Sequence, residues 1–235
     1  MTEITILTIH LNDLTGLKKT IRSVEKQDMD VRHVIIDGGS TDGTIEYLAT
    51  HKSTLTNFLY NSAPDSGIYD AFNKALDFAY GDYFMLLNAG DIFFDSHQLK
   101  LLKNTIVKRP EIDVFCTGVN FVDKNSVVRR TWIPEAEYSS AVARSGRLPP
   151  HPGIVYKLNI ADMYRYDDRF RISGDTDYLI RLLTSQVKTL SLRNVTVNMQ
   201  IGGISTNLKH LVRKEIEDFM IVFKYRLNPL RFMFN

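Results

Sequence analysis

The run from Tyr83 to Leu87 is hydrophobic at five successive positions. A strand with one face in water alternates polar and apolar residues, so a strand that does not alternate is buried on both faces. This calls for a central, mostly parallel sheet with helices on either side. The rest of the N-terminal half supplies the parts. Ile4 to Leu11 reads as a first strand, ended by Asn12 and Asp13, which can cap a helix behind it. Leu14, Leu17, Ile21 and Val24 then recur at helical spacing. His33 to Asp37 is a second strand with a turn behind it, Thr44 to Ala49 a short helix, and Leu55 to Tyr60 a third strand. Ile68, Phe72, Ala75, Leu76 and Ala79 form one helical face ahead of the Tyr83 strand.

The second half is less regular. Val114 to Thr131 reads as strands around a turn at Asp123 to Ser126, and the Gly- and Pro-rich stretch from Gly146 to Gly153 as a loop. Asp175 to Leu183 reads as a helix and Thr189 to Gln200 as one or two strands, with no internal repeat or low-complexity segment. A chain of 235 residues can bury a full core, as one large domain or two fused halves. With 44% hydrophobic and 24% charged residues it has the composition of a soluble globular protein, and a net charge of +2 gives no reason to expect a nucleic-acid partner. The single cysteine, Cys116, cannot form an internal disulfide; it sits in an apolar run, reads as a buried inert thiol and is compatible with a reducing cytosol. Met1 to His10 reads as a strand and not as a signal peptide. No apolar stretch approaches the roughly 18 residues of a spanning helix, so the expectation is a protein that does not cross the membrane, with peripheral attachment left open.

Four clusters carry polar chemistry. Asp37-Gly-Gly-Ser-Thr-Asp-Gly-Thr44 lies at the carboxyl end of a strand, where open α/β sheets bind ligands. Gly39 lets the backbone approach a ligand, and the Asp37 carboxylate can accept from a base or ribose; the same string also reads as a turn in which Thr41 or Asp42 caps the next helix. Its spacing matches neither a dinucleotide fingerprint nor a Walker loop. In Asp65-Ser-Gly-Ile-Tyr-Asp-Ala-Phe-Asn-Lys74, residues Asp70, Asn73 and Lys74 share one helix face, which suits either a polar ligand or a solvated surface with a local ion pair. Asn88-Ala-Gly-Asp91 follows the buried strand. It can place a carboxylate on a cation shared with a diphosphate, or simply make a side-chain-stabilised turn. Ser173-Gly-Asp-Thr-Asp177 opens a helix: Asp175 suits a general base, while Ser173 or Asp175 also suits an N-cap. At i and i+2, Asp175 and Asp177 cannot both point into one small site.

In this order the clusters resemble the inverting family 2 glycosyltransferases of the GT-A fold, over about residues 3–205. The similarity is greatest to bacterial enzymes that build colanic-acid-type, capsular or lipopolysaccharide O-chains. The resemblance implies an α/β fold with a Rossmann-like, mostly parallel sheet. It implies a nucleoside-diphosphate sugar donor, a saccharide acceptor hydroxyl, inversion at the anomeric carbon and a divalent cation, Mg or Mn. Asp37 and Asp65 then belong to the base and ribose, Asp91 to the metal, Asp175 to the catalytic base and His151 to the acceptor-side loop. With the cluster residues added, the candidate donor site is Asn12, Asp37, Gly39, Ser40, Asp65, Gly67, Asp70, Asn73, Lys74, Asn88 and Ala89, and Asp177 joins His151 on the acceptor side. Two departures stand out. Asn88-Ala-Gly-Asp91 lacks carboxylates that many relatives carry, and Phe72 stands where many have Arg.

The expected division is a glycosyltransferase domain over 1–205, with a nucleotide half over 1–115 and an acceptor half over 116–205, followed by a helical tail over 206–235. In the tail Leu208, Leu211, Val212, Ile216, Phe219, Met220, Phe223 and Leu227 mark one apolar face, with six basic residues against three acidic ones. Such a helix suits an anionic membrane surface and a lipid-linked acceptor, or else packing on the domain or on a second subunit. Two rivals remain from the sequence: a sugar-1-phosphate nucleotidyltransferase, and a non-catalytic sugar-nucleotide-binding scaffold.

Overall fold

Strand β1 (Ile4–His10) is buried at all seven positions and β4 (Tyr83–Leu86) at all four, as their hydrophobicity requires. The computed structural model describes residues 2–52, 57–202, 211–229 and 232. Alternate residues of each strand serve opposite layers: Leu7, Ile9, Phe84 and Leu86 enter one core, and Ile4, Ile6, Tyr83 and Met85 the other. Helix α1 (Leu14–Glu25) packs Leu17, Ile21 and Val24 inward and begins at Asp13, whose side chain accepts from the Gly16 N–H. Next come β2 (Arg32–Asp37), α2 (Thr44–Lys52), β3 (Phe58–Ser62) and α3 (Ile68–Asp77), which buries Tyr69, Phe72, Ala75 and Leu76.

Past β4 lie β5 (Ile92–Phe93), α4 (Gln98–Lys108), β6 (Val114–Val122), β7 (Val128–Trp132), α5 (Ser140–Arg144), a 3-10 turn at His151–Gly153, β8 (Ile154–Lys157) and α6 (Asn159–Met163). Helix α7 (Gly174–Leu183), β9 (Thr189–Gln200) and α8 (Leu211–Lys224) follow. A single nine-stranded sheet has the order β3-β2-β1-β4-β8-β6-β9-β5, with β7 paired to β6. The first four strands are parallel, β8 runs antiparallel to both its neighbours, and β6 and β9 are parallel. The sheet is thus mixed, with its parallel half made by the N-terminal βα units.

Several expectations need adjusting. The third strand starts at Phe58, and residues 53–56 of its expected beginning lie outside the described residues. Helix α4 occupies a stretch in which no element is expected, held by Leu99, Leu102 and Ile106 at helical spacing. The division between 115 and 116 falls inside β6, because one sheet serves both halves. The boundary at 205/206, Leu208 and residues 233–235 lie outside the described residues. On α8 the inward side consists of Glu217, Ile221 and Val222, with Leu227 just beyond. The apolar face anticipated from the sequence points mostly outward instead: Val212, Ile216, Phe219, Met220 and Phe223 are all exposed.

Candidate active site

Strands β1 and β2 are in register to their last residues, His10 against Asp37, so their carboxyl ends form one edge together with that of β4. Asp37 is fully buried there. It accepts from Gly39 N at 3.1 Å, Ser40 N at 3.0 Å, Ser40 Oγ at 2.5 Å and Ser62 Oγ at 2.6 Å. Burial works against its charge, but these donors hold its carboxyl below the usual range. Asp37 therefore shapes the Gly38–Ser40 turn from within. Asn12 adopts φ 51°, a left-handed conformation that Asn tolerates. It ties the turn to β1: its N–H donates to Ser40 Oγ at 2.8 Å, and its Oδ1 accepts from Thr41 N at 2.8 Å.

Asp65 lies over this turn, so that a methyl group on Gly38 would come 2.3 Å from Asp65 Oδ2. Its other oxygen accepts from Gly67 N at 3.0 Å, and burial raises its pKa. The polar residues of α3 are engaged close by. Asp70 accepts from Ser66 N at 2.8 Å and pairs with Lys74 at 3.1 Å, and Lys74 donates to Pro64 O at 2.9 Å. Asn73 holds the backbone of Tyr166 from both sides, at 2.9 and 2.8 Å. None of these three lines the cavity beside the turn; α3 turns Ile68, Tyr69 and Phe72 toward it.

That cavity, of about 300 Å³, brings together Asn88, Ala89 and Asp91 from the end of β4, His151 from the Pro-rich loop, and Asp175 from the first turn of α7. Arg171, Met199 and Gln200 complete its polar and far walls. Thr20 of α1 pins the Asn88–Asp91 loop, donating to Asp91 O at 2.7 Å and accepting from Gly90 N at 3.0 Å. Asp91 is buried, with Gln200 N donating to its Oδ1 at 3.2 Å. Burial outweighs the backbone hydrogen bonds and pushes its pKa up to about 7. Beside it Asn88 Oδ1 is buried without a hydrogen-bond partner among the described residues.

Asp175 accepts from Thr176 N at 2.8 Å, and its Oδ1 lies 3.3 Å from Tyr69 Oη. The start of α7 is fixed from two directions. Tyr69 Oη donates to Ile172 O at 2.5 Å, and a methyl group on Gly174 would strike the Tyr69 ring at 2.7 Å. Behind, Glu217 of α8 accepts from Arg171 N at 2.9 Å, Ile172 N at 2.8 Å and Ser173 N at 2.9 Å. Ser173, placed at the N-cap, makes no side-chain cap hydrogen bond and donates to Asp218 Oδ1 at 2.6 Å instead. Asp177 faces away from the cavity. It is fully buried, with Lys224 Nζ at 2.6 Å, Tyr225 Oη at 2.8 Å and Arg181 at 3.3 Å, so its role is to seat α8. His151 Nε2 lies 2.7 Å from Tyr166 Oη, and burial lowers its pKa against the pull of Asp175, which favours the neutral ring.

The site therefore has two parts on one edge. Asn12, Asp37, Gly39, Ser40 and Asp65 make a turn-lined shelf, and Asn88, Ala89, Asp91, His151 and Asp175 line the adjoining cavity, with Gly67 between them. Sequence reasoning missed Arg171, Thr20 and Gln200, which lie in no recognisable motif, and Tyr69, which sits inside the Asp65–Lys74 string without being singled out there; all four reach the site only through the fold. Among the described residues no three His, Cys, Asp or Glu side chains group to hold a metal. A carboxylate beside an orphaned amide oxygen nevertheless fits a hard cation that takes its remaining ligands from a diphosphate and water.

The fold is that of the GT-A glycosyltransferases, and solved structures share it. S. aureus TarS superposes with a TM-score of 0.66 at 15% identity, covering 85% of this chain and 37% of that one. The mannosyltransferase PcManGT from Pyrobaculum calidifontis, solved with GDP-Man and Mn2+, gives a TM-score of 0.70 at 12% identity, covering 98% of this chain and 67% of that one. The Glycosyl transferase family 2 profile matches residues 5–168, and the chain belongs to that family. It is also 39% identical over 184 residues to an uncharacterized glycosyltransferase of Mycobacterium tuberculosis, covering 76% of this chain and 68% of the relative. Among the described residues no helix is long and apolar enough to cross a membrane.

Proposed function

We propose that the protein transfers a sugar from a nucleoside-diphosphate donor to a saccharide hydroxyl, with inversion, in the synthesis of a bacterial surface polysaccharide. The observation that carries this reading is that Asp91 and Asp175, from different halves of the chain, line one cavity beside the Asp37–Asp65 shelf. The shelf receives the base and ribose, and the cavity receives the transferred sugar and the acceptor. Asp175 takes the proton of the acceptor hydroxyl. The hydroxyl oxygen attacks the anomeric carbon, and the bond to the diphosphate breaks with its electron pair leaving on the phosphate oxygen. Asp91 and Asn88 Oδ1 would hold Mg2+ or Mn2+, and a cation bound there would offset the charge of the departing diphosphate. The GDP-Man and Mn2+ of PcManGT, and the UDP-GlcNAc bound to residues 1–349 of TarS, support a donor of this class.

The outward apolar face of α8, where Phe223 is 79% exposed, supports a lipid-linked acceptor at the inner face of a membrane. Sedimentation with anionic vesicles tests this, and a dimer that buries the face and ignores vesicles would overturn it. The central reading is tested by incubating the purified chain with Mn2+ or Mg2+ and a panel of UDP- and GDP-sugars, with and without short saccharides. Acceptor-stimulated release of nucleoside diphosphate is expected. Donor binding with no release across the panel would favour a scaffold, and pyrophosphate formation from a nucleoside triphosphate and a sugar 1-phosphate would favour a nucleotidyltransferase.

A further inference from the structure

A nucleoside diphosphate seated between the shelf and the cavity brings at least two negative charges to walls that already carry Asp65, Asp91 and Asp175. Among the described residues that line the cavity, Arg171 alone has a permanent positive charge. Other arginines of the same stretch are occupied: Arg165 pairs with Asp77 at 2.8 Å, Arg169 with Asp167 at 2.7 Å and Arg181 with Asp177 at 3.3 Å. The Arg171 guanidinium has no hydrogen bond or ion pair with any described residue.

Its place is set from both sides. Its backbone N–H is held by Glu217, while its guanidinium lies over the start of α3, where a methyl group on Gly67 would come 2.4 Å from Nη1 and 3.6 Å from Cζ. Gly67 has φ 138°, so the position favours glycine on backbone grounds as well, and no side chain shields the guanidinium there. Gly67 N is in turn bonded to Asp65, and Asp65 lies over Gly38 beside Asp37. The series Asp37, Asp65, Gly67, Arg171 therefore runs from the shelf into the cavity that holds Asp91 and Asp175.

We propose that Arg171 binds the diphosphate of the donor, at the junction between the nucleoside shelf and the transfer cavity. The planar guanidinium offers paired N–H donors that match phosphate oxygens. It supplies positive charge on the protein side where the Asn88–Asp91 loop offers a cation only one carboxylate.

This assignment rests on the proposed donor class, and the test separates the two. Binding of UDP, GDP, uridine and guanosine to the wild-type protein, Arg171→Gln and Arg171→Lys is measured by calorimetry in the presence of Mn2+. Arg171→Gln leaves the backbone clamp by Glu217 intact, and its thermal transition is recorded alongside. The expected result is a loss of about 10- to 100-fold in affinity for the diphosphate that Arg171 serves, with nucleoside affinity unchanged and part of the loss recovered in Arg171→Lys. Wild-type binding of UDP or GDP that survives in Arg171→Gln removes this assignment alone. An equal loss for nucleoside and diphosphate assigns Arg171 a structural role and overturns it too. Failure of the wild-type protein to bind either diphosphate removes the proposed function, and this assignment with it.

Discussion

Glu217 of α8 accepts a hydrogen bond from the backbone N–H of Ser173 at 2.9 Å, immediately before the helix that carries Asp175. The same carboxylate takes the N–H groups of Arg171 and Ile172. Burial works against its charge, yet these three donors and Arg213 hold it below the usual glutamate range. Helix α8 is therefore part of the support of the candidate active site, and its other face, with Ile216, Phe219 and Phe223, is exposed among the described residues.

Glu217→Ala would leave buried N–H groups without an acceptor, at a cost of about 3 kcal/mol in stability. Hydrogen exchange over residues 171–177 is expected to accelerate well beyond that of β1 and β4. Unchanged protection there would show that the clamp is dispensable.

Acid sensitivity follows from the buried histidines. His33 lies in the sheet, 2.9 Å from Thr8 Oγ, and burial lowers its pKa to about 3 from 6.5. Between those values the unfolded chain binds a proton that the folded chain refuses, so stability falls as pH drops, by up to about 1.4 kcal/mol per unit. His10 and His151 are lowered too and act in the same direction. Asp91, raised to about 7, acts oppositely from its usual value upward, because the folded state there keeps a proton that the unfolded chain has lost. Urea unfolding at pH 7, 6 and 5 without divalent cations is expected to show a net loss toward acid, made steeper by Asp91→Asn. Stability that rises toward pH 5 would contradict this.

Asp91→Asn keeps the size and polarity of the buried side chain and removes its charge. If Asp91 and Asn88 hold a cation for the donor, the enhancement of UDP or GDP binding by Mn2+ is expected to shrink or vanish in this variant, while metal-free binding changes little. Metal dependence equal to that of the wild type would remove Asp91 as a ligand.

How much of this was legible in the sequence depended on how local the cause was. The hydrophobic runs of β1, β2 and β4 demanded the parallel core, and Asp13 stood where the α1 cap was needed. The Asn88–Asp91 and Gly174–Asp175 strings ended up on one cavity. Spacing puts Asp70, Asn73 and Lys74 on one face of α3, but it does not show that their hydrogen bonds go to Ser66, Tyr166 and Pro64. Spacing separates Asp175 from Asp177, yet Lys224 and Tyr225, the residues that occupy Asp177, come from the end of α8 and the turn behind it, far along the chain. Arg171 belongs to no motif, because its position depends on Glu217 and Gly67 together. The outward face of α8 was readable as apolar. Which side would pack was not, since Glu217, a charged residue, turned out to face inward.

In the proposed function Asp175 is the base in a cavity shared with the donor. The most direct test of that role compares Asp175→Asn with the wild-type protein in the same preparation, for nucleoside diphosphate binding and for sugar turnover. Unchanged binding and a turnover lower by about 10²- to 10⁴-fold are expected. Turnover near that of the wild type would contradict it.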